Sequence, residues 1–130
     1  DTIEVKKLFN SDIKDFITKA EIIQNAKVIN NNICLAYTKT ETDNINIVIA
    51  QAADELLNIK EVEASFVLAR KDDRVFISAR SLGNINVHVL MENLGGGGHR
   101  DMAGAQLDTS LEKAYEMVKD TIQTYIKEEE

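Results

Sequence analysis

Four consecutive glycines, Gly95 to Gly98, stand directly before His99 and form the segment best suited to bind a ligand. The chain has only six glycines, and five of them lie within positions 95–104. Each costs roughly 0.5–1 kcal/mol relative to alanine in regular structure, because glycine loses more backbone freedom on folding. A row of amides without side chains can form a concave nest for an anion. We therefore predict that Gly95, Gly96, Gly97 and Gly98 bind phosphate through their backbone.

The glycine run also fits a flexible loop or a helix stop, since glycine is the preferred helix terminator. Its spacing matches neither the dinucleotide-binding nor the triphosphatase pattern, so neither chemistry is indicated. The imidazole of His99 favours the ligand interpretation, because it can hydrogen-bond a phosphate or a ribose or act in acid–base chemistry. We expect His99 to contact the ligand, and we expect His88, on a predicted short helix, to be a surface or packing residue.

A second candidate contact comes from the segment that ends at Arg80. Alternate residues of a strand share a face, so Phe76, Ser78 and Arg80 point to one side. An arginine at the end of an apolar strand must meet an anion or reach solvent, and its planar fork matches phosphate oxygens in pairs. We predict that Arg80 contacts the phosphate and that Ser78 adds a hydroxyl donor. An arginine that merely extends into solvent is the alternative.

The composition narrows the function further. A net charge of -7 argues against a broad basic surface for long nucleic acid. The single cysteine, Cys34, excludes an intramolecular disulfide. Two distant histidines without an Asp-x-Asp or cysteine partner make no convincing metal site, so we predict neither metal ligands nor catalytic residues here. The chain begins at Asp1 without an initiator methionine, and we expect it to be a piece of a larger protein.

The apolar pattern predicts the scaffold that positions these residues. Two apolar runs joined by Lys71-Asp72-Asp73 indicate central strands, the second of which carries Ser78 and Arg80. Residues 5–20 are predicted to form a helix, with Asn10-Ser11-Asp12 as an alternative break, and a hairpin is predicted around 30–32. Helices are predicted over 45–59, 86–94 and 109–130, and a strand over 103–107. The sequence therefore predicts one α/β domain, with a mixed sheet of about five strands and helices on both faces.

The first and last helices carry distinct signals. The first has apolar residues at three- and four-residue spacing, which is typical of an amphipathic helix: Val5, Leu8, Phe9, Ile13, Phe16, Ile17 and Ala20. The last helix shows a regular apolar stripe, and Thr109 with Glu112 has the spacing of a capping box. Asp54 and Glu55 are assigned to the polar face of the helix over 45–59.

The order of these motifs resembles the DHH-associated (DHHA-type) domain, the C-terminal substrate-binding half of DHH phosphoesterases. The family signature, GGGH-x-x-A-[AG], corresponds here to Gly96–His99 followed by Ala103 and Gly104, with one extra residue after the histidine. The segments upstream are most similar to the membrane-bound, GdpP-type cyclic di-AMP phosphodiesterases of Gram-positive bacteria. The resemblance covers essentially all 130 residues.

The resemblance implies a division of labour. Residues 1–24 would be a connector helix from a missing catalytic DHH domain, and residues 25–130 the DHHA-type substrate-binding domain. The DHH half would hold manganese and hydrolyse cyclic di-AMP to linear pApA, so this chain alone is expected to be inactive. Its substrate contacts would be Ser78, Arg80, Gly95, Gly96, Gly97, Gly98 and His99.

The implied partners are a cyclic or short linear dinucleotide, the DHH domain of the same chain and, for the parent protein, a second copy in a homodimer. The domain would face the cytoplasm from a parent protein in the cell membrane. Two alternatives stay open: a nano-RNase or RecJ-like domain that binds short oligonucleotides, and a non-catalytic module that senses nucleotides.

Overall fold

The computed structural model describes the backbone of residues 2–129 and the side chains of residues 13–129. Asp1 and Glu130, the outermost residues of the two predicted terminal helices, lie outside the described residues. The strands are β1 (Lys27–Ile29), β2 (Ile33–Thr38), β3 (Ala64–Lys71), β4 (Arg74–Ser81), β5 (Gly97–His99) and β6 (Met102–Leu107), and the helices are α1 (Thr2–Gln24), α2 (Ile45–Leu56), α3 (Val87–Glu92) and α4 (Leu111–Glu129).

The described strands form one mixed sheet in the order β1-β2-β3-β4-β6-β5. β2 and β3 run parallel, joined by the crossover helix α2, and the other neighbours pair antiparallel. This confirms the predicted α/β domain with a mixed sheet and helices on both faces. The sheet has six strands rather than about five, because the glycine run contributes β5.

One face of the sheet is closed by α3 and α4. In β4, Val75, Ile77 and Ala79 point to this face and are buried, as expected from the alternation of a strand. They join an apolar core with side chains of β2, β3, β6 and the two helices. Leu90 of α3 and Val118 of α4 are among the residues that seal it. We call this side of the sheet the closed face.

The opposite face is covered only in part. A second core there contains Ile22 of α1, the α2 stripe and Cys34, Val67 and Ala69 of the sheet. α2 packs against β3 and β4. On β6 and β5, by contrast, the residues of this face are exposed, as Met102 and His99 show. The described helices therefore leave one end of this face open.

α1 packs on the domain through only part of its apolar surface. α1 is one continuous helix through Asn10-Ser11-Asp12. In its described part, Phe16 and Ile17 are exposed, at 66% and 50%, whereas Thr18 and Ile22 are buried. The predicted apolar stripe therefore turns away from the domain, because the contacts with α2 and β2 select the neighbouring side of the helix. Val5, Leu8 and Phe9 lie outside the residues whose side chains are described.

The start of α4 also differs in detail. Its first residue is Leu111, and the Ser110 hydroxyl accepts a hydrogen bond of 3.1 Å from the Lys113 amide. Ser110 is therefore the N-cap, and the predicted capping box of Thr109 with Glu112 is wrong by one residue. Within residues 2–129, no helix combines the length and the apolarity needed to cross a bilayer.

Candidate functional site

The first half of the glycine run ends α3. The Gly95 amide donates to the Glu92 carbonyl at 3.0 Å, and the Gly96 amide donates to the Met91 carbonyl at 2.8 Å. Gly95 has φ 86°, and together these features form a Schellman motif. Both amides are thus occupied and cannot belong to a phosphate nest of four amides. The helix-stop interpretation is correct for this half of the run.

The second half of the run is a strand. Gly98 has φ 146°, and a Cβ there would come within 2.5 Å of the Ala103 Cα. A Cβ on Gly96 would lie 2.0 Å from the Gly104 carbonyl oxygen. Gly97 differs from both, because a Cβ there would meet nothing within 4 Å, and its φ, unlike that of Gly98, is outside the left-handed region. The fold needs glycine at positions 96 and 98 but has no need of it at position 97.

The register of the strands brings the predicted contacts together. Ser78 pairs with Gly104, which pairs with Gly97. Directly opposed residues share a face, and one such row spans about 10 Å over three strands. The next row runs from Arg80 through Met102 to His99. We call the open surface made by these residues and Gln106 the shelf.

The middle of the shelf has no large side chains in one row, and the next row has a polar side chain at each end. The row of Ser78, Gly104 and Gly97 carries no side chain larger than a hydroxymethyl group. Arg80 and His99 stand at the two ends of the next row. His99 is exposed, and its ring makes no hydrogen bond to residues 13–129. A flat ligand with an anionic group could therefore lie against the backbone here.

A groove lies between the start of α2 and the part of the shelf that contains Ser78, Gly104 and Gln106. Its volume is about 520 Å³, within the range of ligand-binding pockets. Its lining comprises Asn46, Ile49, Arg74, Phe76, Ile77, Ser78, Gly95, Gly96, Gly104, Ala105 and Gln106. A hollow of about 500 Å³ between α1 and β2 is of similar size but contains none of the predicted site residues. The groove is therefore the better candidate for a ligand.

Arg80 meets an anion within the chain. Its Nε lies 2.9 Å from Oδ1 of Asp54 on α2, and its Nη1 donates to the Ala79 carbonyl at 3.0 Å. Only 12% of the arginine side chain is exposed. The alternative of an arginine that merely extends into solvent is therefore wrong. Asp54 is more than the ordinary polar-face residue that the sequence suggested.

The hairpin that carries His99 is anchored at its tip. The Arg100 carbonyl accepts from the Val87 amide at 3.0 Å, and the Asp101 carbonyl accepts from the Ser81 amide at 2.9 Å. The Arg100 Nε donates to the Gly83 carbonyl at 2.6 Å. Since α3 holds the other end of the run, β5 is fixed at both ends. The flexible-loop interpretation of the glycines is wrong.

Sequence reasoning missed the residues that complete the surface. Met102 and Gln106 alternate with buried residues along β6, so the pattern would have indicated them once the pairing with β4 was known. Asn46 comes from α2, which no local signal places beside the glycines. Gln106 is oriented by Arg74, whose Nη1 donates to its Oε1 at 2.9 Å.

The acidic and histidine side chains of the described residues are dispersed. Among the residues that the structure describes, no three His, Cys, Asp or Glu side chains come together in a way that could hold a metal ion. His88 pairs instead with Glu92 one turn along α3, at 3.2 Å. The arrangement of the shelf and groove can bind and orient a ligand through hydrogen bonds and charge.

Comparison with known proteins gives consistent matches. The family model of the DHHA1 domain matches residues 30–128. The cyclic-di-AMP phosphodiesterase GdpP of Bacillus subtilis (strain 168) is 41% identical over an alignment of 131 positions, which covers 98% of this chain and 20% of that protein. The cyclic-di-AMP phosphodiesterase PdeA of Listeria monocytogenes serotype 1/2a (strain 10403S) is 37% identical over an alignment of 131 positions, which covers 99% of this chain and 20% of that protein.

A solved structure shares the fold. An exopolyphosphatase-related protein from Bacteroides fragilis superimposes with a TM-score of 0.75 at 22% identity, covering 85% of this chain and 34% of the other. The chain spans about a fifth of the length of the two phosphodiesterases that it matches.

Proposed function

Because the chain belongs to the DHHA1 domain family, we propose that it is the nucleotide-binding domain of a phosphodiesterase that hydrolyses cyclic di-AMP to linear pApA. Two relatives at 41% and 37% identity are cyclic-di-AMP phosphodiesterases, which supports an association with nucleotide phosphoester hydrolysis. The proposal assigns the ligand to the shelf and to the groove beside it.

Gly97 is the observation that carries this assignment. The backbone of β5 would accept a side chain there, since nothing lies within 4 Å of a Cβ and φ is ordinary. A glycine that the fold does not require, on an open surface between Ser78 and His99, is explained by a ligand that approaches the backbone closely. The exposed edge of β5 adds backbone groups that no strand of the described sheet pairs with.

The side chains around Gly97 suit a dinucleotide. The Arg80 guanidinium and the His99 imidazole would donate to phosphate oxygens, and Ser78 would add a hydroxyl. The groove has apolar walls from Ile49 and Phe76 for a base and amide groups at its rim for hydrogen bonds. These residues bind and orient the substrate, and none of them is assigned to bond cleavage.

The catalytic step is assigned to the DHH half that the family resemblance implies. Manganese bound in that half would supply the hydroxide for hydrolysis. The domain described here would present the phosphodiester to it, from the cytoplasmic side of a membrane-bound parent. No manganese-binding residues are assigned to this chain.

Calorimetry on the chain tests the binding role. We expect it to bind cyclic di-AMP and pApA and to bind a long single-stranded oligoadenylate more weakly per site. Incubation of the same sample with both dinucleotides and excess Mn²⁺, followed by chromatography, should show no turnover above a matched blank. If the chain binds neither cyclic di-AMP nor pApA, the assignment of the ligand to the shelf is overturned.

Two further results would change the proposal in specific ways. Turnover that persists through further purification would contradict the division of labour. Preferential binding of short linear oligonucleotides over both dinucleotides would favour the RecJ-like alternative. A circular-dichroism melt on each sample shows that the protein is folded.

A further inference from the structure

Two adjacent acidic residues end α2 and have different partners. Asp54 and Glu55 lie in its last turn, where the helix dipole disfavours negative charge. Asp54 pairs with Arg80 of β4 at 2.9 Å, and Glu55 pairs with Lys19 of α1 at 3.3 Å. Of the two basic partners, only Arg80 lies on the shelf. Glu55 is therefore a suitable control residue for experiments on Asp54.

The contact with Asp54 leaves Arg80 able to bind an anion. A guanidinium has five N–H donors, and the described contacts use one on Nε and one on Nη1. No residue in 13–129 accepts from Nη2. The Asp54 side chain is 61% exposed and the Arg80 side chain 12% exposed, so the carboxylate is the outer member of the ion pair.

Both partners are fixed to the scaffold. Ser65 is opposite Arg80 in the β3–β4 register, and its hydroxyl donates to the Ala53 carbonyl at 2.6 Å in the protein interior. This bond ties α2 to the sheet at the residue before Asp54. The carboxylate therefore stands at a fixed distance from the strand that carries Arg80, and it can restrict the arginine to one orientation before a ligand binds.

We propose that Asp54 is a positioning residue, which orients the Arg80 guanidinium toward the shelf for the phosphate of the dinucleotide. The inference rests on the proposed function, because it needs an anion at the shelf. Charge alone would give the opposite role: a carboxylate beside Arg80 would weaken anion binding by neutralising the guanidinium. The two roles predict opposite signs when Asp54 is removed.

Substitutions at Asp54 separate these roles. Asp54→Ala removes both the acceptor and the charge, whereas Asp54→Asn keeps an oxygen acceptor for Nε and removes only the charge. We expect Asp54→Ala to raise the Kd for cyclic di-AMP and pApA about two- to tenfold, because the arginine must then be immobilised on binding. Asp54→Asn should bind at least as well as the wild type. Glu55→Ala, which removes the same charge from the same helix turn, should leave the Kd unchanged.

A double substitution identifies the route of the effect. If Asp54 acts through Arg80, then Asp54→Ala should weaken binding no further in an Arg80→Ala background. A further loss there, a tighter Kd for Asp54→Ala, or equal Kd changes in Asp54→Ala and Asp54→Asn would overturn the proposal. Thermal melts on all samples separate lost binding from lost structure.

An NMR measurement tests the positioning without nucleotide. The Nε–Hε group of Arg80 in the ligand-free chain should have the relaxation of an ordered side chain in the wild type and in Asp54→Asn. In Asp54→Ala it should become mobile on the ps–ns timescale. An Arg80 signal that is equally ordered in Asp54→Ala would refute the positioning role, whether or not the wild type binds a dinucleotide. A wild type that binds no dinucleotide would count separately against the proposed function.

Discussion

The two faces of the sheet at β4 and β6 carry side chains with different roles. On the closed face, Val75, Ile77 and Ala79 are buried under α3 and α4. On the shelf, the alternate residues Ser78 and Arg80 are half-buried, because α2 packs against β3 and β4. Alternate positions along the same strand therefore contribute to the core on one face and to the proposed ligand surface on the other.

The glycines of the run have different structural roles. Gly96 and Gly98 are required by close contacts within the fold, whereas Gly97 lies on the shelf and meets nothing. A substitution on the closed face should therefore reduce stability, and a substitution on the shelf should reduce binding in a protein that stays folded. Four substitutions test this separation, and Gly96→Ala serves as a control for one of them.

Phe66→Ala on the closed face should have the largest effect on stability. Phe66 is fully buried in the core under α3 and α4, and loss of a buried phenylalanine typically costs about 3–5 kcal/mol. Urea unfolding should show this loss in the free energy of unfolding. The fraction that remains folded should bind cyclic di-AMP with the wild-type Kd. A changed Kd would show that the two faces are coupled.

Gly97→Val should nearly abolish nucleotide binding while the protein stays folded. The isopropyl group would stand on the shelf, and valine suits an extended edge strand. We expect Kd to rise about a hundredfold or more, which corresponds to about 3 kcal/mol. Calorimetry and thermal melts on the same sample measure both effects.

Gly96→Ala is the matched control for this result. Its Cβ would lie 2.0 Å from the Gly104 carbonyl, so we expect lost stability of about 1–3 kcal/mol from overpacking. If Gly97→Val binds like the wild type, or loses binding only by unfolding, the ligand does not approach the backbone at this position.

Arg80→Ala should weaken binding less than Gly97→Val. A charge-assisted hydrogen bond contributes about 1.5–3 kcal/mol, so we expect Kd to rise roughly ten- to more than a hundredfold. In a parent enzyme the same loss should appear in kcat/KM with metal content unchanged. Wild-type kinetics would show that Arg80 serves only its ion pair with Asp54.

His99→Ala should have the smallest effect of the four. It removes one exposed hydrogen-bonding side chain and leaves the backbone of β5 in place, so we expect a loss of about 0.5–1.5 kcal/mol. Because the ring makes no hydrogen bond to residues 13–129, the thermal midpoint should not move. A loss as large as that of Gly97→Val would place the ligand on the histidine rather than on the backbone.

The local elements of this protein were predictable from its sequence, because each depends on residues close in the chain. Alternation placed Ser78 and Arg80 on one side of a strand, and asparagines marked the turn where Asn30 and Asn31 have φ 55° and 67°. Short patterns of this kind also indicated an α/β domain with a mixed sheet. The clustering of glycines before His99 was enough to select the region of the candidate site.

Long-range pairing and packing decided the rest. The sequence alone could not show that the glycine run pairs with β6, since β5 consists of two glycines and a histidine and therefore has no strand propensity to detect. It could not show that Asp54 meets Arg80, which are 26 positions apart. Nor could it show which side of α1 packs on the domain. These outcomes depend on strand register and on which strands a helix covers, and both are set by the burial of surfaces that meet only when the whole chain is folded.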